Sequence, residues 1–96
     1  MRLYLFTVPQ HLATPALEAA LSEEFGGYTR LESVGAWQEA TGAHCIESNA
    51  VYLVAVPGLG TAHLLREFVL TTLRFGKEKA AFLAEIGTAE VISLRG

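Results

Sequence analysis

The stretch Glu24–Trp37, EFGGYTRLESVGAW, places two adjacent glycines ahead of an alternating run, and a third glycine just before the only tryptophan. Glycines that cradle a phosphate follow a strand and open a helix, so that free N–H groups and the positive helix end meet the anion. Here the preceding residues are helical in pattern. Thr14-Pro15 is a hydroxyl N-cap followed by proline at the first helical position, and Leu17, Leu21 and Phe25 recur every four residues. Gly26 and Gly27 therefore end a helix, where carbonyls and the negative end project. They read as a left-handed cap that reverses the chain into Tyr28, and Gly35 reads as a bulge that re-aims Trp37. The order is helix, joint, strand.

Working outward, Arg2–Val8 reads as a strand closed by Pro9, and Tyr28–Ser33 as a second strand resuming through Trp37. A turn around Gly42 leads into a long third strand, His44–Val56, closed by Pro57-Gly58. Thr61 is the expected N-cap of a second helix, Leu64, Leu65, Phe68, Val69, Thr72 and Leu73 its apolar face, and Gly76 its left-handed end. Residues 80–86 read as a strand in preference to a helix, followed by a turn at Gly87-Thr88 and a further strand over 89–94. The order β-α-β-β-α-β predicts a single α+β domain over 1–96. Its plan is ferredoxin-like: an antiparallel sheet with both helices on one face and a possible extra C-terminal strand.

Half of the 96 residues are hydrophobic, 18% are charged, and the formal net charge is −3. The basic residues are scattered, whereas a protein that binds phosphate backbones carries a basic stripe. The βαββαβ plan is shared with the RNA-recognition domain, and Tyr4, Phe6 and Tyr52 would be its stacking aromatics. The R/K-G-F-[GA]-F-V signature is absent, however, so no nucleic-acid partner is expected. A lone cysteine fits a reducing, cytoplasmic setting. No run approaches the roughly 18 apolar residues of a membrane span, so no membrane partner is expected.

The first and third strands, central in this plan, are apolar on both faces. Leu3, Leu5 and Thr7 oppose Tyr4, Phe6 and Val8, and Val51, Leu53 and Ala55 oppose Tyr52, Val54 and Val56. A sheet with one wet face alternates apolar with polar, so the face that the helices leave bare needs another cover. A second copy supplies it, predicting a homodimer or higher oligomer with Tyr4, Phe6, Tyr52 and Val54 as expected interface residues.

Phe25–Thr29 (FGGYT), Gly35 with Trp37, Glu47, and Arg74–Glu78 (RFGKE) together resemble a group of small bacterial and phage ferredoxin-like proteins. The resemblance covers most of the chain, rests on short motifs, and implies fold rather than chemistry. In plan the chain is also similar to the dimeric α/β-barrel superfamily. That superfamily includes cofactor-free monooxygenases, small isomerases and heme-handling enzymes.

No metal site is expected. His44 and Cys45 are strand neighbours that point to opposite faces, and there is no C-x-x-C or H-x-x-E-H. No cofactor is implied. Hairpin geometry suggests a small pocket at the sheet rim, Trp37 forming its wall and Arg30, His44 and Glu47 its polar end, with Arg30, Trp37 and Tyr28 as ligand-binding residues. In the alternative, Trp37 and Tyr28 anchor the sheet or dimer rim while Arg30 and Glu47 form a solvated cross-strand pair. The expected function is binding of a small ligand or a partner protein. The alternative is a cofactor-free enzyme of the α/β-barrel type with His44 or Glu47 as acid–base group.

Overall fold

The computed structural model describes residues 1–94. Four strands form one antiparallel sheet in the order β2-β3-β1-β4: β1 (Arg2–Pro9), β2 (Thr29–Gln38), β3 (His44–Val56) and β4 (Leu83–Thr88). Helices α1 (Pro15–Phe25) and α2 (Leu59–Phe75) follow β1 and β3, and a short 3-10 turn, Gln10–Leu12, leads into α1. This is the α+β, ferredoxin-like plan. Thr14 caps α1 as its sequence requires, its Oγ1 accepting from the Leu17 N–H at 3.2 Å, and Gly26 closes the helix in the left-handed region at φ 86°.

The core lies between the helices and the even-numbered face of the central strands. Phe6, Val8, Tyr52, Val54 and Val56 are fully buried beneath Leu21, Leu65 and Val69. The rings of Phe6 and Tyr52, cross-strand partners, stack with centroids 5.2 Å apart. Phe25 meets Phe68 edge-on at 5.7 Å and ties the end of α1 to α2.

This placement corrects the expected interface. Phe6, Tyr52 and Val54 are core, and Tyr4 packs against them, so they are unavailable to a partner or a nucleobase. The bare face is the other one, carrying Leu3, Leu5, Val51, Leu53 and Ala55, each partly exposed, and Leu31, 51% exposed.

Three expected features differ. No bulge occurs at Gly35, since β2 pairs with β3 without a break from Thr29↔Leu53 to Gln38↔His44. A Cβ at position 35 would lie 2.5 Å from Asn49 Nδ2, so the glycine makes room for the asparagine. Helix α2 begins at Leu59 with Gly58 as an N-cap lacking a capping side chain, which places Thr61 inside the helix. Residues 89–94 form no strand, and Gly87-Thr88 belongs to β4. Antiparallel pairing with β1 runs out at its start, where Met1 and Ala89 exchange backbone hydrogen bonds of 2.9 and 3.1 Å.

The end of α2 also differs. Gly76 has φ −75°, and Lys77 takes the left-handed conformation at φ 59°. The Lys77 N–H donates to Arg74 O and the Glu78 N–H to Leu73 O, the two bonds of a Schellman reversal. Gly76 is small for a packing reason: a Cβ there would approach Leu12 Cδ1 to 2.5 Å. Two opposite outcomes are expected in chemical denaturation. Gly76→Ala costs about 1 kcal/mol, because the Leu12 side chain must shift. Lys77→Gly gains about 0.5–1 kcal/mol by releasing left-handed strain. A stabilising Gly76→Ala would contradict the packing.

Candidate functional site

Strand alternation decides what the predicted rim residues can do together. Arg30 and Trp37 are seven residues apart on β2, so their side chains leave opposite faces. Arg30 sits on the helix side opposite Tyr52, whereas Trp37 and Glu47 lie on the bare side, within the part of the hairpin that outruns β1. The expected pocket joining Arg30, Trp37 and Glu47 does not form. Tyr28 does lie near Arg30, its ring edge-on to Tyr52 at 5.4 Å.

Around Arg30 the chain builds a polar cluster that the sequence did not announce. Its Nη1 donates to Glu18 Oε2 at 2.8 Å, its Nε to Glu32 Oε1 at 2.8 Å, and its Nη2 to Gln10 Oε1 at 2.9 Å. Gln10 Nε2 donates to Glu32 Oε2, and the Tyr52 hydroxyl donates to Glu18 Oε2 at 2.8 Å. The cluster ties the turn after β1, the first turn of α1, edge strand β2 and central strand β3 together. The guanidinium is occupied by two carboxylates and an amide, so it is not poised to take an anionic ligand. Glu18 reads from sequence as a helix-dipole residue; its use as the hub depends on the β2 register.

The Arg30 and Tyr52 hydrogen bonds hold the Glu18 carboxyl below its ordinary value of 4.5. Gln10 and then Arg30 do the same for Glu32. A depressed folded-state value means stability that is present above the ordinary value and lost as pH falls through the folded one. Acid titration of the wild type should therefore show a loss of stability below about pH 4.5. Glu18→Gln should remove part of that dependence and cost about 1 kcal/mol at neutral pH. An unchanged acid transition in Glu18→Gln would show that the cluster is not coupled to folding. Burial, followed by the hydrogen bond to Glu18, pushes the Tyr52 hydroxyl value up, which keeps it a donor.

Two hollows border these elements. A crevice of about 380 Å³ beside the cluster is lined by Gln10, Glu32, Ser33, Val34 and Ser48. A groove of about 650 Å³ runs between α1 and α2, walled by Leu12, Leu17, Leu64, Phe68 and Phe75 with Glu24 and Glu67 as its charges. Its volume suits a drug-sized ligand. Neither hollow is lined by His44, Glu47 or Arg30.

His44 is exposed at the end of the hairpin. The Cys45 thiol donates to Glu39 Oε1 at 3.1 Å, and that carboxylate raises the thiol's value above the ordinary 9.0. A raised value keeps the thiol protonated and a poor nucleophile at neutral pH. Iodoacetamide should label Cys45 slowly at pH 7, and Glu39→Gln should speed labelling several-fold. Fast labelling of the wild type would refute the Glu39 contact. Among the described residues no group of three or more His, Cys, Asp or Glu side chains is placed to hold a metal ion. No described helix is long and apolar enough to cross a membrane.

The sheet order and the two helices define an α+β, ferredoxin-like chain. Its backbone superposes on that of the PII-like protein CutA from Nostoc sp. PCC 7120, solved in apo form, with a TM-score of 0.73. The match spans 92% of this chain and 81% of that one at 12% sequence identity, and at that identity the likeness concerns the fold alone. No protein-family model and no curated protein matches the chain.

Proposed function

We propose that the chain is a self-assembling binding module whose bare sheet face is covered by a second copy of itself. The observation that supports this reading is the composition of that face. Leu3, Leu5, Leu31, Val51 and Leu53 form one continuous apolar surface outside the helices, and Glu47 is the only charged residue at its β1, β2 and β3 positions. A face with almost no charge meets its own copy without like-charge repulsion, which a two-fold contact otherwise brings. Over eight residues of strand and four strands the face spans on the order of 500 Å², near the upper end of what soluble monomers leave bare. The crystal-free test is light scattering over a dilution series. Particles heavier than the 10.3 kDa chain at micromolar concentration support the reading, and a single 10.3 kDa species contradicts it.

The binding role falls to the groove between α1 and α2. Its apolar walls and its two carboxylates, Glu24 and Glu67, favour a small ligand with an apolar body and a cationic group. Saturable binding of a long-chain alkylammonium, weakened by Glu67→Gln, is the expected result. Equal binding of an alkyl sulfate would overturn this choice of ligand.

A further inference from the structure

We propose that the β2–β3 arm, residues 34–48, is a clasp that lies against a second copy of this chain, with Trp37 as its buried anchor. The inference rests on the self-assembly reading and adds to it where the contact extends. Strand β1 reaches only to the Pro9↔Asn49 pair. The pairs from Val34↔Ser48 to Gln38↔His44 thus form a ribbon of two strands with no third strand beside it. The molecule is correspondingly long, 56 × 23 × 23 Å.

A two-stranded ribbon is marginal in water on its own, and one that lies free in solvent is expected to be polar. This one carries apolar side chains on both flanks. Val34 and Ile46 are 72% and 75% exposed on the helix-side flank, which the helices do not reach. Trp37, 44% exposed, stands on the other flank across from Cys45, in line with Leu31 and Val51 of the bare face. On that flank Ser33, Gly35, Asn49 and Glu47 lie between the Leu31–Val51 pair and the Trp37–Cys45 pair, so Trp37 is a second apolar contact point set apart from the bare face.

Area points the same way. A stable protein–protein contact buries about 800 Å² on each partner. The sheet face alone offers on the order of 500 Å², and an arm about 17 Å long and 10 Å wide adds about 300 Å² when both flanks are enclosed. Face and arm together reach the usual size, and the face alone falls short. A tryptophan at such a contact is the residue type that most often dominates its energy.

Because Trp37 is the only tryptophan, its fluorescence reports the arm directly. Iodide quenching and emission wavelength are measured on the full chain across a dilution series, with mass followed in parallel by sedimentation. The expected result is an indole shielded from iodide in the assembled form, whose emission moves to the red and whose quenching rises several-fold as the assembly dissociates. Ile46→Lys, at a side chain solvated in the single chain, should weaken assembly at least tenfold while leaving the circular dichroism of the monomer unchanged. An assembly in which Trp37 is as quenchable as free indole, or in which Ile46→Lys changes nothing, overturns the clasp and leaves the sheet-face contact standing. A chain that is monomeric throughout overturns both.

Discussion

Replacing Phe6 by alanine is expected to remove about 3–5 kcal/mol of folding stability, the usual cost of deleting a fully enclosed aromatic ring. Phe6 has no exposed surface, stacks on Tyr52 at 5.2 Å, and sits beneath both helices. The truncation leaves a cavity bounded by β1, β3 and the helices, and those walls cannot all collapse inward. A domain of this size holds about 5–15 kcal/mol in total, so the variant should lie at the margin of folding at room temperature. Urea denaturation at fixed protein concentration measures the effect. A loss below about 1 kcal/mol would place Phe6 outside the core and return it to the surface role that its strand pattern also allows.

Leu53→Glu should do the reverse, dissociating the chain without unfolding it. Leu53 lies on the other face of the same pair of strands, opposite Leu5, with no helix above it. In a single copy the glutamate is partly solvated, and stability should change by about 0.5 kcal/mol or less. In an assembly, two-fold symmetry brings two unpaired carboxylates into an apolar contact, and association should weaken at least 100-fold, or about 3 kcal/mol. Sedimentation of the variant beside the wild type reads the change in mass, and circular dichroism confirms the retained fold. An assembly unaffected by Leu53→Glu would show that the contact lies elsewhere on the molecule.

The contrast between these two substitutions marks where the sequence was ambiguous. Element order was legible because each boundary carries its own chemistry: the Thr14 cap, Pro15, and the left-handed Gly26. Which face the helices take was not, because β1 and β3 are apolar on both sides and their alternation carries no sign. The edge strand misleads further. Arg30 and Glu32 look like the solvent side of β2, yet they lie on the helix side, where the end of the sheet lets their long side chains reach Gln10 and Glu18. The separation of Arg30 from Trp37, by contrast, was available from parity alone.

Two other differences have equally local causes. Residues 89–94 have strand propensity, but the pairing of this segment with β1 ends at the Met1–Ala89 backbone hydrogen bonds. Strand propensity depends on context and does not by itself make a strand. Gly76 reads as a left-handed cap from its position at a helix end, and the fold uses it one residue early, as clearance for Leu12. Glycine reports that a side chain is excluded, not whether backbone or packing excludes it.

The central claim is that the bare sheet face is an assembly surface. Sedimentation equilibrium of the wild-type chain at micromolar concentration tests it most directly. The account predicts a mass that is a whole multiple, two or greater, of 10.3 kDa. A mass of 10.3 kDa that does not rise with concentration would contradict it.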